Sequence, residues 1–172
     1  YTDVVDFLIQ AGCDVNQPDN GGNSSLGLYV GSFRLGLDRE MFSHLVKQGA
    51  DPLWVNARRQ NLLHLVMRHR GADNEVLEYL FNRGVDLTAR DVDGKTFMHY
   101  GAIHGAFSEE LIECLRRRGV LDLHTRDSNG KSPLDYAEEK AHQEIPDDNL
   151  SHFDQKWEKS FDILTAVDHT LL

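Results

Sequence analysis

The chain has 172 residues, with 18 Lys or Arg against 28 Asp or Glu, so its formal net charge is −10 with histidine neutral. This acidic balance argues against a protein that grips nucleic acid mainly through phosphates. Apolar runs are only a few residues long, so no membrane span is predicted. Two cysteines and no secretory leader favour an intracellular location, cytoplasmic or nuclear.

A helix followed by a glycine recurs four times along the chain. The glycines are 37, 35 and 35 residues apart, at Gly12, Gly49, Gly84 and Gly119. A leucine lies four residues before each glycine, and apolar pairs lie three and four residues before each leucine. This spacing predicts an amphipathic helix. The glycine then follows the helix end, where a left-handed residue is favoured.

After each glycine the sequence predicts a tight turn and a second short helix. The pattern Asp-x-x-Gly occurs at 19–22, 91–94 and 127–130, and it favours a turn because Asp accepts backbone hydrogen bonds and Gly supplies positive φ. Thr96 and Ser132 then fit the N-cap position of a helix. Arg59 stands where the turn glycine is expected, so this turn is predicted to be irregular.

The two ends of the chain differ from its middle. The chain opens inside the second helix of a pair, so we expect an opening half-repeat with further sequence upstream. Near the other end, residues 145–149 interrupt the helix that begins near Pro133. Phe153, Trp157, Phe161 and Leu164 then follow at helical spacing. They predict a helix that caps the array, because repeat arrays need a closing unit with one polar face.

These motifs together resemble the ankyrin repeat, most clearly in Thr96-Phe97-Met98-His99 and in Gly49-Ala50-Asp51. The resemblance implies an all-α solenoid of paired antiparallel helices with β-turn fingers, an opening half-repeat and a C-terminal capping helix. It further implies one domain over 1–172. We predict a partial repeat at 1–16, repeats at 17–53, 54–88 and 89–124, and a terminal repeat with its capping helix at 125–172.

Motifs that look chemical fit the repeat better than a catalytic or ligand site. Gly94-Lys95-Thr96 lacks the glycine that a phosphate-binding loop needs five residues earlier, where Ala89 stands. The nine histidines include pairs five residues apart, which do not share a helix face. The resemblance implies that His64 and His99 hydrogen-bond backbone near the turns. No catalytic residue, metal, cofactor or small-molecule substrate is predicted.

The predicted function is a non-catalytic protein-interaction module. Cations recur at the same positions of successive repeats, so we expect a row of them along the concave face. Guanidinium forks in such a row suit carboxylates or phosphates, and a Trp supplies an aromatic anchor. The predicted ligand is an extended acidic or phosphorylated peptide. The predicted partner-binding residues are Trp54, Arg58, Arg59, Arg68, Arg90, Lys95, Arg126 and Lys131.

Several alternatives remain open from the sequence. Trp54 also fits packing against a neighbouring finger, and Arg and Lys also flank turns without any ligand. A methyl-lysine reader is a second function, with an aromatic cage drawn from Trp54, Tyr29, Phe33 and Tyr100. A third is a regulatory domain whose catalytic part lies outside this chain.

Overall fold

The computed structural model describes residues 2–32, 37–69, 73–141 and 161–167. Its helices are α1 (Thr2–Gln10), α2 (Ser25–Ser32), α3 (Arg39–Lys47), α4 (Leu62–Val66), α5 (Asn74–Asn82), α6 (Phe97–His104), α7 (Glu109–Arg117), α8 (Pro133–Ala141) and α9 (161–167). These ranges contain no strand, so the predicted all-α class is confirmed for them. None of the described helices is long and apolar enough to cross a membrane.

Side-chain caps and glycine stops set the ends of the longer helices. Asp38, Asp73 and Ser108 precede α3, α5 and α7. Each aspartate accepts two hydrogen bonds from backbone N–H groups of the first turn, and Ser108 accepts one. The glycines predicted to follow α1, α3, α5 and α7 all have positive φ. The predicted pattern of a helix followed by a glycine in the left-handed region is therefore confirmed at all four places.

The helices form two layers around a continuous apolar core. The first layer consists of α2, α4, α6 and α8, which contact one another in chain order. The second layer consists of α1, α3, α5 and α7, of which α3 packs on α2 and α5 on α4. Every residue of α4 is buried. Leu164 and Val167 of α9 also join this core, whereas Phe153 and Trp157 of the predicted cap lie outside the described residues.

Four turns precede the first-layer helices, and they repeat one hydrogen-bonding scheme. They are turn 1 (19–23), turn 2 (56–60), turn 3 (91–95) and turn 4 (127–131). In each turn, the side-chain oxygen of the first residue accepts from the backbone N–H groups two and four residues later. Successive turns are joined by one backbone hydrogen bond each: Ala57 N to Gly21 O at 3.2 Å, Val92 N to Arg58 O at 3.0 Å, and Ser128 N to Asp93 O at 2.9 Å.

Turn 2 is regular, so the expectation of an irregular turn at Arg59 is wrong. Arg59 itself adopts the left-handed region, with φ of 61°. This conformation costs a residue with a Cβ roughly 1–2 kcal/mol. Asn56 replaces the usual Asp and still accepts from Arg58 N at 3.0 Å and Gln60 N at 2.9 Å. These bonds and the neighbouring turns therefore hold Arg59 in the left-handed conformation that glycine adopts in the other turns.

We expect Gly94→Ala to destabilise the protein more than Gly130→Ala does. Both glycines have nearly the same φ, 75° and 77°, so the cost of the left-handed conformation is shared. A Cβ at position 94 would lie 2.9 Å from the backbone N of Ser128, whereas none of the described atoms lies within 4 Å of one at position 130. In Gly94→Ala, the close approach should therefore add about 1–3 kcal/mol to the loss of unfolding free energy. The free energy of unfolding of both variants is measured in urea, and equal losses would contradict the tight contact between turns 3 and 4.

Candidate partner-binding surface

Six of the eight predicted partner-binding residues already bond to other residues of the described array. The pairs are Trp54 Nε1 to Gly22 O at 2.7 Å, Arg58 to Asp93 at 2.9 Å, Arg90 Nη1 to Arg126 O at 2.8 Å, Lys95 to Asp127 at 3.1 Å, Arg126 to Asp135 at 3.3 Å, and Lys131 to Glu139 at 2.6 Å. Four of the cations thus face a carboxylate. The cations of the predicted row are therefore paired within the chain at these four positions.

Trp54 links turn 2 to turn 1. Its indole N–H donates to the carbonyl of Gly22, and its side chain is half-buried. The structure therefore supports the packing role that the sequence left open for this residue. The exposed apolar side chains beside it are Leu53 and Val55.

Lys95 is built into the array between turns 3 and 4. Its Nζ lies 3.1 Å from Oδ2 of Asp127, and the two side chains are 16% and 0% exposed. Tyr136 donates its hydroxyl to the same oxygen at 2.7 Å. Burial by itself would raise the pKa of Asp127, but hydrogen bonds from Tyr136, from Lys131 N and from Lys95 outweigh it and hold that pKa far below its usual range. Lys95 therefore stabilises the array and is closed to a partner.

Gln60 has the same role one repeat earlier, and sequence analysis missed it. Its Nε2 donates to the hydroxyl of Tyr100 at 2.5 Å, and that hydroxyl donates to Asp91 Oδ2 at 2.8 Å. Gln60 and Lys95 both close their turns, and Tyr100 and Tyr136 both lie nine residues after the first residue of a turn. This shared register is the sequence signal that would have identified these side chains as links between repeats.

His64 and His99 connect their helices to the next turn. His99 Nδ1 accepts from Thr96 N at 3.0 Å, so its Nε2 carries the proton and donates to Lys131 O at 3.1 Å. His64 makes the equivalent bond to Lys95 O at 3.1 Å. Burial lowers the pKa of both imidazoles. The predicted hydrogen bonds to backbone near the turns are confirmed, and the described residues contain no group of three or more metal-ligating side chains.

Exposed apolar and charged side chains lie where turn 2 meets turn 3. We name this surface the turn 2–3 patch and define it by Val55, Arg58, Arg59, Val92 and Asp93. Val55 and Val92 are about half exposed, and the side chain of Arg58 is 59% exposed. Among the described residues, Arg59 has no carboxylate partner. The patch therefore offers apolar surface, one unpaired guanidinium and one exposed ion pair.

Arg68 lies apart from the turns, just after α4. It is exposed, and the described part of the chain provides it with no carboxylate. In the described ranges, no hydrogen bond or ion pair joins it to the turn 2–3 patch, and its backbone N–H bonds to Leu65 O.

Three of the four aromatic side chains proposed for a methyl-lysine cage, those of Trp54, Tyr29 and Tyr100, make hydrogen bonds within the chain. Tyr100 is buried, and its hydroxyl bonds to Gln60 and Asp91. Tyr29 donates its hydroxyl to the carbonyl of Asp38 at 2.9 Å. Phe33 lies outside the described residues. The burial of Tyr100 removes one ring from the expected cage.

No protein-family model matches the chain, and no curated protein matches it closely enough to be a relative. The proposals for its function therefore rest on its own residues and contacts.

Proposed function

We propose that this chain is an ankyrin-type, non-catalytic protein-interaction module that binds an extended partner segment across its stacked turns. The observation that carries the proposal is the series of backbone hydrogen bonds between successive turns, which repeats in register three times. A stack tied in this way presents fixed side chains along one edge. Extended, rigid surfaces of this kind are what repeat proteins use to bind partners.

The turn 2–3 patch supports a narrower form of the acidic-peptide prediction. Arg58 and Asp93 form an exposed pair, and such pairs contribute only about 0–1 kcal/mol. A partner carboxylate or phosphate can therefore take the place of Asp93 at little cost. Arg59 adds a second guanidinium, and Val92 adds apolar contact. We thus place the acidic or phosphorylated segment at turns 2 and 3 instead of along the whole row.

The proposal is tested by selecting peptides from a displayed random library on the wild-type chain. Selected peptides should bind about tenfold more weakly to the Arg58→Glu/Arg59→Glu variant, because two favourable charges become repulsive. Their affinity should also fall with added salt, since exposed charges are screened. Binding is measured by titration calorimetry.

The matched control is Arg116→Glu/Arg117→Glu, which reverses another adjacent pair of exposed arginines, on α7 in the second layer. Both variants must melt cooperatively. Retained affinity in the α7 variant and lost affinity in the turn 2 variant support the proposal. Failure to enrich any peptide, or equal binding to both variants, would refute it.

A further inference from the structure

A repeated contact on the second layer joins neighbouring helices through a carboxylate. Between α1 and α3, Asp6 Oδ1 accepts from Gln48 Nε2 at 2.7 Å and lies 2.8 Å from His44 Nε2. Between α5 and α7, Glu78 accepts from Cys114 Sγ at 2.9 Å and from Arg118 Nη2 at 2.5 Å. In both cases one acidic side chain receives two groups from the following helix.

The residues of this contact occupy fixed positions in the repeat. The carboxylate, Asp6 or Glu78, lies six residues before the glycine that ends its helix. The two groups that approach it lie five residues and one residue before the next such glycine. Between α3 and α5, these rules assign the acceptor position to Ser43 and the two approaching positions to Tyr79 and Arg83.

The contact is incomplete between α3 and α5 because Ser43 has no carboxylate. The hydroxyl of Tyr79 is buried and finds no hydrogen-bond partner among the described residues. Leaving a polar group in this state costs about 1–3 kcal/mol. The guanidinium of Arg83 lies 5.1 Å from the centre of the Tyr79 ring, and the described residues give it no carboxylate. One acidic group is missing where the neighbouring interfaces each have one.

A groove lies at this position. It measures about 390 Å³, against about 180 Å³ for the groove between α5 and α7. Phe42, Val46 and Val76 provide apolar walls, and Lys47 adds a second cation to that of Arg83. Arg39 and Glu75 also line the groove, and they pair with each other at 2.5 Å. A volume of about 300–1,000 Å³ with a few placed polar groups is typical of ligand sites. The groove therefore combines space, apolar walls, positive charge and an unsatisfied hydroxyl.

We propose that the groove between α3 and α5 binds a glutamate side chain of a partner protein, flanked by an apolar residue. The glutamate carboxylate pairs with Arg83, as Glu78 does with Arg118. The Tyr79 side chain turns towards the groove and donates its hydroxyl, buried in the unbound chain, to the same carboxylate, as Cys114 donates to Glu78. The flanking residue packs against Val46, the partly exposed apolar residue of the lining. This site is on the second helix layer and is independent of the turn 2–3 patch.

The test uses a blocked pentapeptide, acetyl-Ala-Leu-Glu-Leu-Ala-amide, and the same peptide with Gln in place of Glu. The chain is isotope-labelled, and the resonances of the Tyr79 ring and the Arg83 side chain are followed by NMR during titration. The Glu peptide should shift both sets of resonances saturably. The Gln peptide should bind at least about tenfold more weakly, because hydrogen bonds to a charged group are roughly twice as strong as neutral ones.

The variant Ser43→Glu supplies the missing carboxylate from within the chain. It should melt at a higher temperature than wild type and lose the response to the Glu peptide, whereas Ser43→Gln should keep most of that response. Arg58→Glu/Arg59→Glu should bind the peptide as wild type does, which separates this site from the proposed function. Equal shifts with both peptides, or undiminished binding to Ser43→Glu, would overturn the proposal.

Discussion

Asp127→Ala is expected to destabilise the protein by about 3–5 kcal/mol, the usual cost of removing one partner of a buried ion pair. The carboxylate is fully buried and pairs with Lys95. It also accepts from the backbone N–H groups of Asn129 at 2.8 Å and Lys131 at 3.0 Å, and from the hydroxyl of Tyr136 at 2.7 Å. Alanine would leave all of these groups without their acceptor. Urea unfolding measures the loss.

Asn substitutions at two turns separate the charge of Asp127 from its role in closing the turn. Asn56 shows that Asn closes such a turn, so Asp127→Asn should keep the turn and lose the acceptor oxygen that Lys95 and the Tyr136 hydroxyl share, at a cost of about 1–3 kcal/mol. Asp19→Asn is the matched control at turn 1, where the side chain is exposed, and it should cost about 0.5 kcal/mol. Similar losses at both positions would contradict a special role for the buried pair.

The pH dependence of the Asp127 contribution follows from its lowered pKa. The folded state holds this pKa below the unfolded value of about 3.9, so the stabilisation is present above pH about 4 and is lost as the pH falls through the folded pKa. Asp127→Asn should therefore flatten the stability profile below about pH 4.

The helices of the second layer were predictable from sequence because the signals that define them are local. A leucine four residues before each glycine marks the buried stripe, and the glycine marks the left-handed stop. Turn 2 was mispredicted because the preference of Arg59 for negative φ is also local. The hydrogen bonds of Asn56 and the packing of turns 1 and 3 override it, and both depend on the neighbouring repeats.

The candidate site was harder to predict because its electrostatics act between repeats. Arg58 and Asp93 are 35 residues apart in sequence but 2.9 Å apart in space. Counting cations by position revealed a row, but Asp93 and Asp127 of the following repeats had to be aligned in the same register to show that Arg58 and Lys95 are paired. Aligning the repeats on their glycines likewise places Ser43 at the position that Asp6 and Glu78 occupy in other repeats.

The two buried histidines make a second contribution to stability, in a different pH range. His99→Ala should cost about 1–3 kcal/mol, because the Lys131 carbonyl and the Thr96 N–H each lose a partner. His64→Ala should have a similar effect through Lys95 O. The control is His124→Ala, on an exposed histidine, which should change the free energy of unfolding by no more than about 0.5 kcal/mol.

Acidification below about pH 6.5 should weaken the fold through these same imidazoles. Burial lowers their folded pKa below the unfolded value of about 6.5, so the unfolded chain binds protons first and stability falls as the pH drops. A second proton on His99 would enter at Nδ1, which faces the N–H of Thr96. Each histidine contributes a slope of at most about 1.4 kcal/mol per pH unit. His69, whose pKa is also lowered by burial, adds to the slope of unfolding free energy against pH in the wild type.

His99→Ala should reduce the slope of unfolding free energy against pH between about pH 6.5 and 5. An unchanged slope in this variant would show that His99 is not neutral in the folded protein.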